Sequence, residues 1–361
     1  MKKSITRKGF VAFAAAAVLA VALAGCGGGS SSQQQAADSS AADEGSAPAA
    51  AVETSAEAAA PAETPEAAGN GLRFVTGGEA GTYYALGTIM AQNAASVGLD
   101  ITAVSSGGSQ ANVQEIEDGT AQLGFCQSDV EAYAYIGSNL FEGAPVDAFS
   151  TVACLYEEQI QIVTCDPEIK TVADLKGKNV SIGAAGSGVY FNAIDVLAAY
   201  DLTEADINPT YQSFGDSTEA LKDGKIDAAF IVAGAPTSAV TDLSTTKTAY
   251  LVEIDADHAA ALIETSPFYN LATIPAGTYA GQENDVSTLS VGAVVIAANS
   301  VSEDDVYNFV ASVYDNLDTL TTSHDKFKEF SLEKGASVTA VPYHPGAAKY
   351  FKEKGLEVPT A

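Results

Sequence analysis

Apolar positions along the chain fall into three regimes. From Phe10 to Ala24 they form one unbroken run behind Lys2, Lys3, Arg7 and Lys8. That run is shorter than the roughly 20 residues a membrane-spanning helix needs, so residues 1–25 read as a signal peptide. Between residues 27 and 70 the pattern vanishes: Val52 is the only large aliphatic residue among Gly, Ser, Gln, Ala, Pro, Asp and Glu. Nothing there offsets the entropy of ordering, so residues 26–70 read as an acidic, disordered tether. From residue 71 onward, short apolar runs alternate with amphipathic stretches, the pattern of an α/β domain.

The pattern places a first strand at Arg73–Val75, which runs through Gly77-Gly78-Glu79-Ala80-Gly81 into a helix from about Tyr83 to Val97. Ile101–Val104 is the next strand, followed by Ser105-Ser106-Gly107-Gly108-Ser109 and a helix stopping at Asp118-Gly119. Leu123–Phe125 is the third strand, and Ser128 with Glu131 reads as a capping box for the helix after it. The second half repeats this order. Val180–Ile182 leads through Gly183-Ala184-Ala185-Gly186-Ser187-Gly188 into a helix ending at Ala199. Tyr211–Phe214 leads to Gly215-Asp216-Ser217 and a helix stopping at Asp223-Gly224. Ile226–Val232 is a strand, and Pro236 in Gly234-Ala235-Pro236 suits the first turn of one more helix.

The repetition reaches single residues. Gly81-Thr82-Tyr83-Tyr84 matches Gly188-Val189-Tyr190-Phe191 at an offset of 107. Ser105, Gly107 and Ser109 match Ser213, Gly215 and Ser217 at 108, and Ile116, Asp118, Gly119 and Phe125 match Leu221, Asp223, Gly224 and Phe230 at 105. Three ordered matches near one offset predict two similar α/β lobes.

Charge removes partners. The 361 residues carry 46 Asp or Glu against 17 Lys or Arg, a net charge of −29. That argues against nucleic acid and against docking on anionic lipid through basic residues. Three His and four Cys are too few for a metal module or a disulfide scaffold, and the histidines show no metal-ligand spacing. Cys126, Cys154 and Cys165, the three beyond residue 70, form an odd set and are read as buried thiols. Beyond residue 70 there is a single arginine, Arg73, at the opening of the first strand. Ligand contacts must therefore come from loops, hydroxyls and helix N-termini, whose free N–H groups suit carboxylates without arginine.

In open parallel sheets the ligand crevice lies beyond the carboxyl ends of the strands, where these Gly/Ser segments fall. The candidate ligand-binding residues are Thr76, Gly81, Thr82, Tyr83, Tyr84, Ser106, Gly107, Gly108, Ser109, Gln127 and Ser128 from the first lobe, with Ser187, Gly188, Phe230 and Gly234 from the second. Glu79, Asp129 and Asp216 are candidates to meet a ligand ammonium group. No serine has the glycines of a nucleophile elbow: Ser187 has Ala185 and Val189 at those positions, and Ser109 has Gly107 but Ala111. Catalysis is not expected, and a secreted hydrolase is the weakest alternative.

Leu23-Ala24-Gly25-Cys26 resembles the bacterial lipobox, which implies that Cys26 becomes a lipid anchor on the outer face of the cytoplasmic membrane. The stretch from Phe74 to Gly87 resembles the opening motif of the TAXI family, the extracytoplasmic solute-binding subunits of TRAP transporters. Further matches follow in order at Ser106–Ser109, Gly124–Val130, Leu175–Lys178, Asp223–Phe230, Gly234–Thr237 and Tyr343–Ala347. The resemblance implies a two-lobed periplasmic-binding-protein fold of type II with the ligand between the lobes. Lobe I would comprise 71–157 and 286–361, and lobe II 158–285, with crossings near Leu155–Val163 and Val286–Val295. It implies a monomer that captures a small carboxylate or amino acid, glutamate-like by preference, for an ion-gradient-driven TRAP permease. A binding protein of an ABC transporter or a sensor is the alternative. No cofactor or metal is expected, since Gly177-Lys178-Asn179 lacks the residues of a P-loop and Gly77–Gly81 lacks dinucleotide-binding spacing. Smaller residues are frequent in the family where this chain has Glu79-Ala80.

Overall fold

The structure is a computed structural model that describes residues 71–360. The signal peptide, Cys26 and the tether lie outside the described residues. Ten strands form one sheet: β1 (Leu72–Val75), β2 (Ile101–Val104), β3 (Leu123–Gln127), β4 (Phe149–Thr164), β5 (Asn179–Ser181), β6 (Asn208–Thr210), β7 (Ala228–Ala233), β8 (Tyr250–Val252), β9 (Asn270–Ile274) and β10 (Val286–Ala298). Around it pack α1 (Thr82–Ala94), α2 (Ser109–Glu117), α3 (Ser128–Ile136), α4 (Gly188–Ala199), α5 (Phe214–Lys222), α6 (Ser238–Thr246), α7 (Ala256–Thr265), α8 (Glu303–Tyr314), α9 (Leu317–Ser323), α10 (Leu332–Gly335) and α11 (Pro345–Glu353).

The strand order is β2-β1-β3-β10-β4-β7-β5-β6. Each end is a parallel trio, β2-β1-β3 and β6-β5-β7; the long strand β10 runs antiparallel to β3 of the first trio, the long strand β4 antiparallel to β7 of the second, and the two long strands antiparallel to each other. The order reads the same from either end, so the internal repeat is a repeat of topology. Corresponding starts lie 105 to 107 residues apart: Leu72 and Asn179, Thr82 and Gly188, Ile101 and Asn208, Ser109 and Phe214, Leu123 and Ala228. β3 and β7 are buried along their whole length, as expected for strands covered on both faces.

The core changes identity along the two long strands. On β4, Phe149 to Tyr156 belong to one hydrophobic cluster with Phe74, Phe125 and Phe309, whereas Ile160 and Ile162 belong to another with Val180, Leu197 and Phe230. On β10 the same change falls between Val291 and Ala293. Between the clusters lie Glu157-Glu158-Gln159, paired in register with Gly292, Val291 and Ser290. The lobes thus meet at a polar band crossing two strands.

Several local expectations need correction. Ser128 does not cap α3: Gln127 is the N-cap residue, and the Ser128 hydroxyl instead accepts the Gly292 N–H at 2.9 Å. The Glu131 carboxylate, expected to complete a capping box, is buried with both oxygens unpartnered. Tyr211–Phe214 does not occupy the strand position, because β6 ends at Thr210 and Phe214 already opens α5 behind the Ser213 cap. Pro236 follows a cis peptide and precedes Thr237, the N-cap of α6, so it is not in the helix. Cys126 and Cys154 flank β10, each opposite Val294, and with Cys165 are free thiols.

The family-like stretch Tyr343–Ala347 is structural. His344 caps α11, accepting the Gly346 N–H on Nδ1, and Pro345 fills the first turn. A Cβ on Gly346 would stand 2.1 Å from the Glu303 carbonyl oxygen and 2.8 Å from the Tyr307 nitrogen of α8. Both are backbone atoms, so only the helix axes can give way. Gly346→Ala should therefore lower stability by about 3 kcal/mol, the upper part of the range for overpacking. Urea unfolding checks this, and a midpoint indistinguishable from the parent protein would show that α8 and α11 separate freely.

Candidate functional site

Four helix N-termini converge where the lobes face each other. Gly81 is the N-cap of α1 and donates its N–H to the Gly78 carbonyl at 2.9 Å, which closes the glycine turn after β1. Gly108, with φ +105°, is the N-cap of α2, a conformation that favours glycine. From the second lobe, Ser187 caps α4 and Ser213 caps α5, and the Ser213 hydroxyl accepts the Asp216 N–H. None of the caps of α1, α2 and α4 forms a side-chain bond to its helix, so their first-turn N–H groups lack that partner.

These termini enclose a cavity lined by Gly77, Gly78, Gly81, Thr82, Tyr83, Ser106, Gly107, Gly108, Ser109, Gln127, Glu158, Ala184, Ser187, Gly188, Val189, Gln212, Ser213, Phe214, Val232 and Ala233. Its volume, about 80 Å³ for the centres of water-sized spheres, compares with roughly 10–15 Å³ for a single water, so it takes a small organic molecule. Among the described residues no lysine, arginine, histidine or cysteine lines it.

Ten of the residues expected from the loops come together here: Gly81, Thr82, Tyr83, Ser106, Gly107, Gly108, Ser109, Gln127, Ser187 and Gly188. Five do not line the cavity. Thr76 is buried and donates its hydroxyl to the Val104 carbonyl at 2.7 Å, tying β1 to β2. Tyr84 is half-buried on α1 outside the lining, Ser128 is held by β10, and Phe230 is a core residue of β7. Gly234 faces the Lys326 side chain, and its carbonyl accepts from Thr82 Oγ1 at 3.3 Å. Glu79 is exposed, Asp216 is bonded to Ser213, and Asp129 sits behind the cavity wall, so none of the three acids expected near a ligand lines it.

The acid that does line it is Glu158, from the polar band of β4. It is buried and accepts the Tyr83 hydroxyl at 2.7 Å. Burial pushes its carboxyl up to about 8, against the lowering effect of the Tyr83 bond. The Tyr83 ring is fixed by stacking on Phe125 with centroids 4.4 Å apart.

The lobes touch directly around the cavity. Ala111 N–H donates to the Gly186 carbonyl at 3.0 Å, and Tyr133 and Ser266 share a hydrogen bond at 3.0 Å. Gln127 Nε2 donates to Asn192 Oδ1 at 3.0 Å, and Asn192 Nδ2 donates to Asp129 and to the Tyr269 hydroxyl, each at 2.9 Å. Asp129 is fully buried there; burial and the nearby Asp195 charge push its carboxyl up to about 7. Arg73 is spent on Glu115 and takes no part in the site. Among the described residues no group of His, Cys, Asp and Glu is arranged to hold a metal ion, and no helix is long and apolar enough to cross a membrane.

The profile of the NMT1-like family matches residues 74–355. Among solved structures, MatC from Rhodopseudomonas palustris with bound malate superposes with a TM-score of 0.51 at 17% identity, over 79% of this chain and 96% of that one. The alkanesulfonate-binding protein SsuA from Xanthomonas axonopodis pv. citri bound to MOPS gives 0.45 at 17% identity, over 78% and 90%. The GluR0 ligand-binding core from Nostoc punctiforme in complex with L-glutamate gives 0.44 at 14% identity, over 72% and 99%. The fold is the two-lobed α/β fold of periplasmic solute-binding proteins.

Proposed function

The chain belongs to the NMT1-like family, and from that premise we propose that it is an extracytoplasmic solute-binding lipoprotein of a TAXI-type TRAP transporter. It captures a small carboxylate or amino acid, glutamate-like by preference, by lobe closure and delivers it to an ion-gradient-driven permease. The observation that carries this reading is the convergence of four helix N-termini on one cavity that, among the described residues, no basic side chain lines. Each terminus bears free N–H groups and about half a positive charge, enough to hold an anion where arginine is missing. The ten loop residues that line the cavity are its proposed contacts. Lobe I comprises 71–157 and 286–361, lobe II 158–285, and Cys26 is the lipid anchor.

Catalysis forms no part of the proposal: the cavity serines face no histidine or lysine that could activate them. A solute at 100 times its Kd should stabilise the protein by about 2.7 kcal/mol through linkage. Mass spectrometry of co-purifying compounds, then thermal shift across amino acids, oxoacids and dicarboxylates, tests this. A flat panel together with unchanged scattering would sink the binding reading. Uptake in vesicles carrying a TRAP permease tests the TRAP assignment, which requires an ion gradient and no ATP.

A further inference from the structure

We propose that Glu158 is the receptor for a protonated amine on the solute, and that binding expels a proton from the cavity. The proposal rests on the solute-binding reading and adds the residue that sets its specificity.

The cavity has two chemically opposite sides. Helix N-termini present donors on one. On the other stands Glu158, the one acid of the lining among the described residues. Tyr83 spends its only hydrogen on Glu158. Gln127 is oriented by a chain of bonds that begins behind the wall. The Tyr269 hydroxyl donates to Asp195 at 2.8 Å, so its oxygen accepts from Asn192 Nδ2, whose other hydrogen goes to Asp129. Asn192 Oδ1 must then accept, and Gln127 Nε2 supplies the hydrogen. The second Nε2 hydrogen of Gln127 serves Glu158, so what remains of the amide is its carbonyl oxygen, buried without a donor; the Ser187 hydroxyl is likewise unpartnered. Unsatisfied buried acceptors are costly, and an ammonium group brings three donors to relieve them.

Charge points the same way. The groups facing Glu158 are Tyr83 of α1, Cys126 and Gln127 of β3, Asp129 of α3, Tyr156 of β4 and Lys326 of the turn Asp325–Glu329. Lys326 is the single cation among them, and its Nζ is already bound to the Ala235 carbonyl at 2.8 Å and to Glu329 at 2.6 Å. An ionised Glu158 therefore has no counter-ion to itself. Without solute its carboxyl holds a proton up to about pH 8. A solute ammonium supplies the missing charge and displaces that proton, while the solute carboxylate meets the helix termini.

The two roles open to Glu158 have opposite pH signatures. As an ammonium receptor it must be ionised, so affinity rises roughly tenfold per pH unit up to about 8 and then levels. As a protonated donor to a carboxylate it gives affinity that falls over the same range. The test uses the full chain and paired probes: L-glutamate with glutarate, L-aspartate with succinate, L-leucine with 4-methylpentanoate. Thermal shift at fixed concentration, then calorimetry between about pH 6 and 9, is expected to find an amino acid that binds while its deaminated partner does not, with affinity rising toward pH 8. Glu158→Gln keeps the Tyr83 bond and should lose the amino acid by about 100-fold together with the pH slope. Equal binding of the deaminated partner, or affinity falling with pH, would overturn the role of Glu158 and leave the solute-binding reading standing. A panel in which neither half binds would sink both.

Discussion

Replacing Gly188 with alanine is expected to leave both lobes folded and to weaken solute binding by about 10- to 100-fold. Gly188 is the first residue of α4 and faces the opposite lobe. A Cβ there would stand 1.8 Å from Gln127 Oε1, 2.6 Å from Gln127 Cδ and 2.9 Å from Ser109 Oγ. The Gln127 amide is not free to swing, because it is bonded to Asn192, one turn along the same helix. Alanine therefore opposes only the closed arrangement; within α4 it is a better helix former than glycine. Overpacking costs roughly 1–3 kcal/mol, and every 1.4 kcal/mol is tenfold in affinity when the binding-competent state loses population. Calorimetry gives the affinity, and scattering of the solute-saturated variant should report a larger radius than that of the parent. A Kd within twofold of the parent protein would mean that the lobes do not close against Gly188 when solute is held.

That glycine could be read from the sequence because its surroundings are local. Glycine and serine between a strand and a helix mark a helix N-terminus wherever it folds, so the loops after β1, β2 and β5 were legible, and with them most of the cavity. The repeat was legible too, although its alignment slipped near Phe214, where an aromatic residue after a short strand resembles the strand's own end and is in fact the first residue of α5. Phe230 was misread for the opposite reason. β7 is covered on both faces, so its aromatic residue serves the core and not the crevice. Glu158 was not found at all. In Cys154–Val163 two adjacent acids interrupt an apolar strand, and alternation sends one to each side. Which of them reaches the cavity depends on the register of β4 against β10, with Glu157 drawn off to Lys334 and Ser290. That pairing spans more than a hundred residues and leaves no local trace. Asp129 shows the same limit: its partner Asn192 lies on the other lobe.

Stability of the solute-free protein should fall as pH rises from about 6.5 to 8.5, the reverse of ordinary acid denaturation. Asp129 and Glu158 are buried carboxyls whose values rise from 3.8 to about 7 and from 4.5 to about 8 on folding, mainly through burial. Between the unfolded and folded values the native state binds more protons than the unfolded chain, so stability decreases with pH throughout that window and is flat above it. Glu131, buried beside Asp129 and shifted in the same direction, adds to the slope. His324 and His344 act oppositely, since burial lowers both below the usual 6.5 and stability falls when the unfolded chain protonates them. That effect fades above about 6.5, which leaves the carboxyls alone in the upper part of the range. One pKa unit corresponds to about 1.4 kcal/mol, so titration of Asp129 and Glu158 above pH 6.5 costs a few kcal/mol. Such a loss is a large share of the roughly 5–15 kcal/mol of a typical domain. Urea unfolding should show a midpoint that falls from pH 6.5 to 8.5 with an unchanged slope in denaturant. Asp129→Asn keeps an acceptor for Asn192, removes one of the titrating groups, and should flatten the part of the profile below about pH 7 while raising the midpoint at pH 8.5. A midpoint that rises with pH, or an Asp129→Asn protein less stable than the parent at pH 8.5, would show that these carboxyls are ionised and paired in the native state.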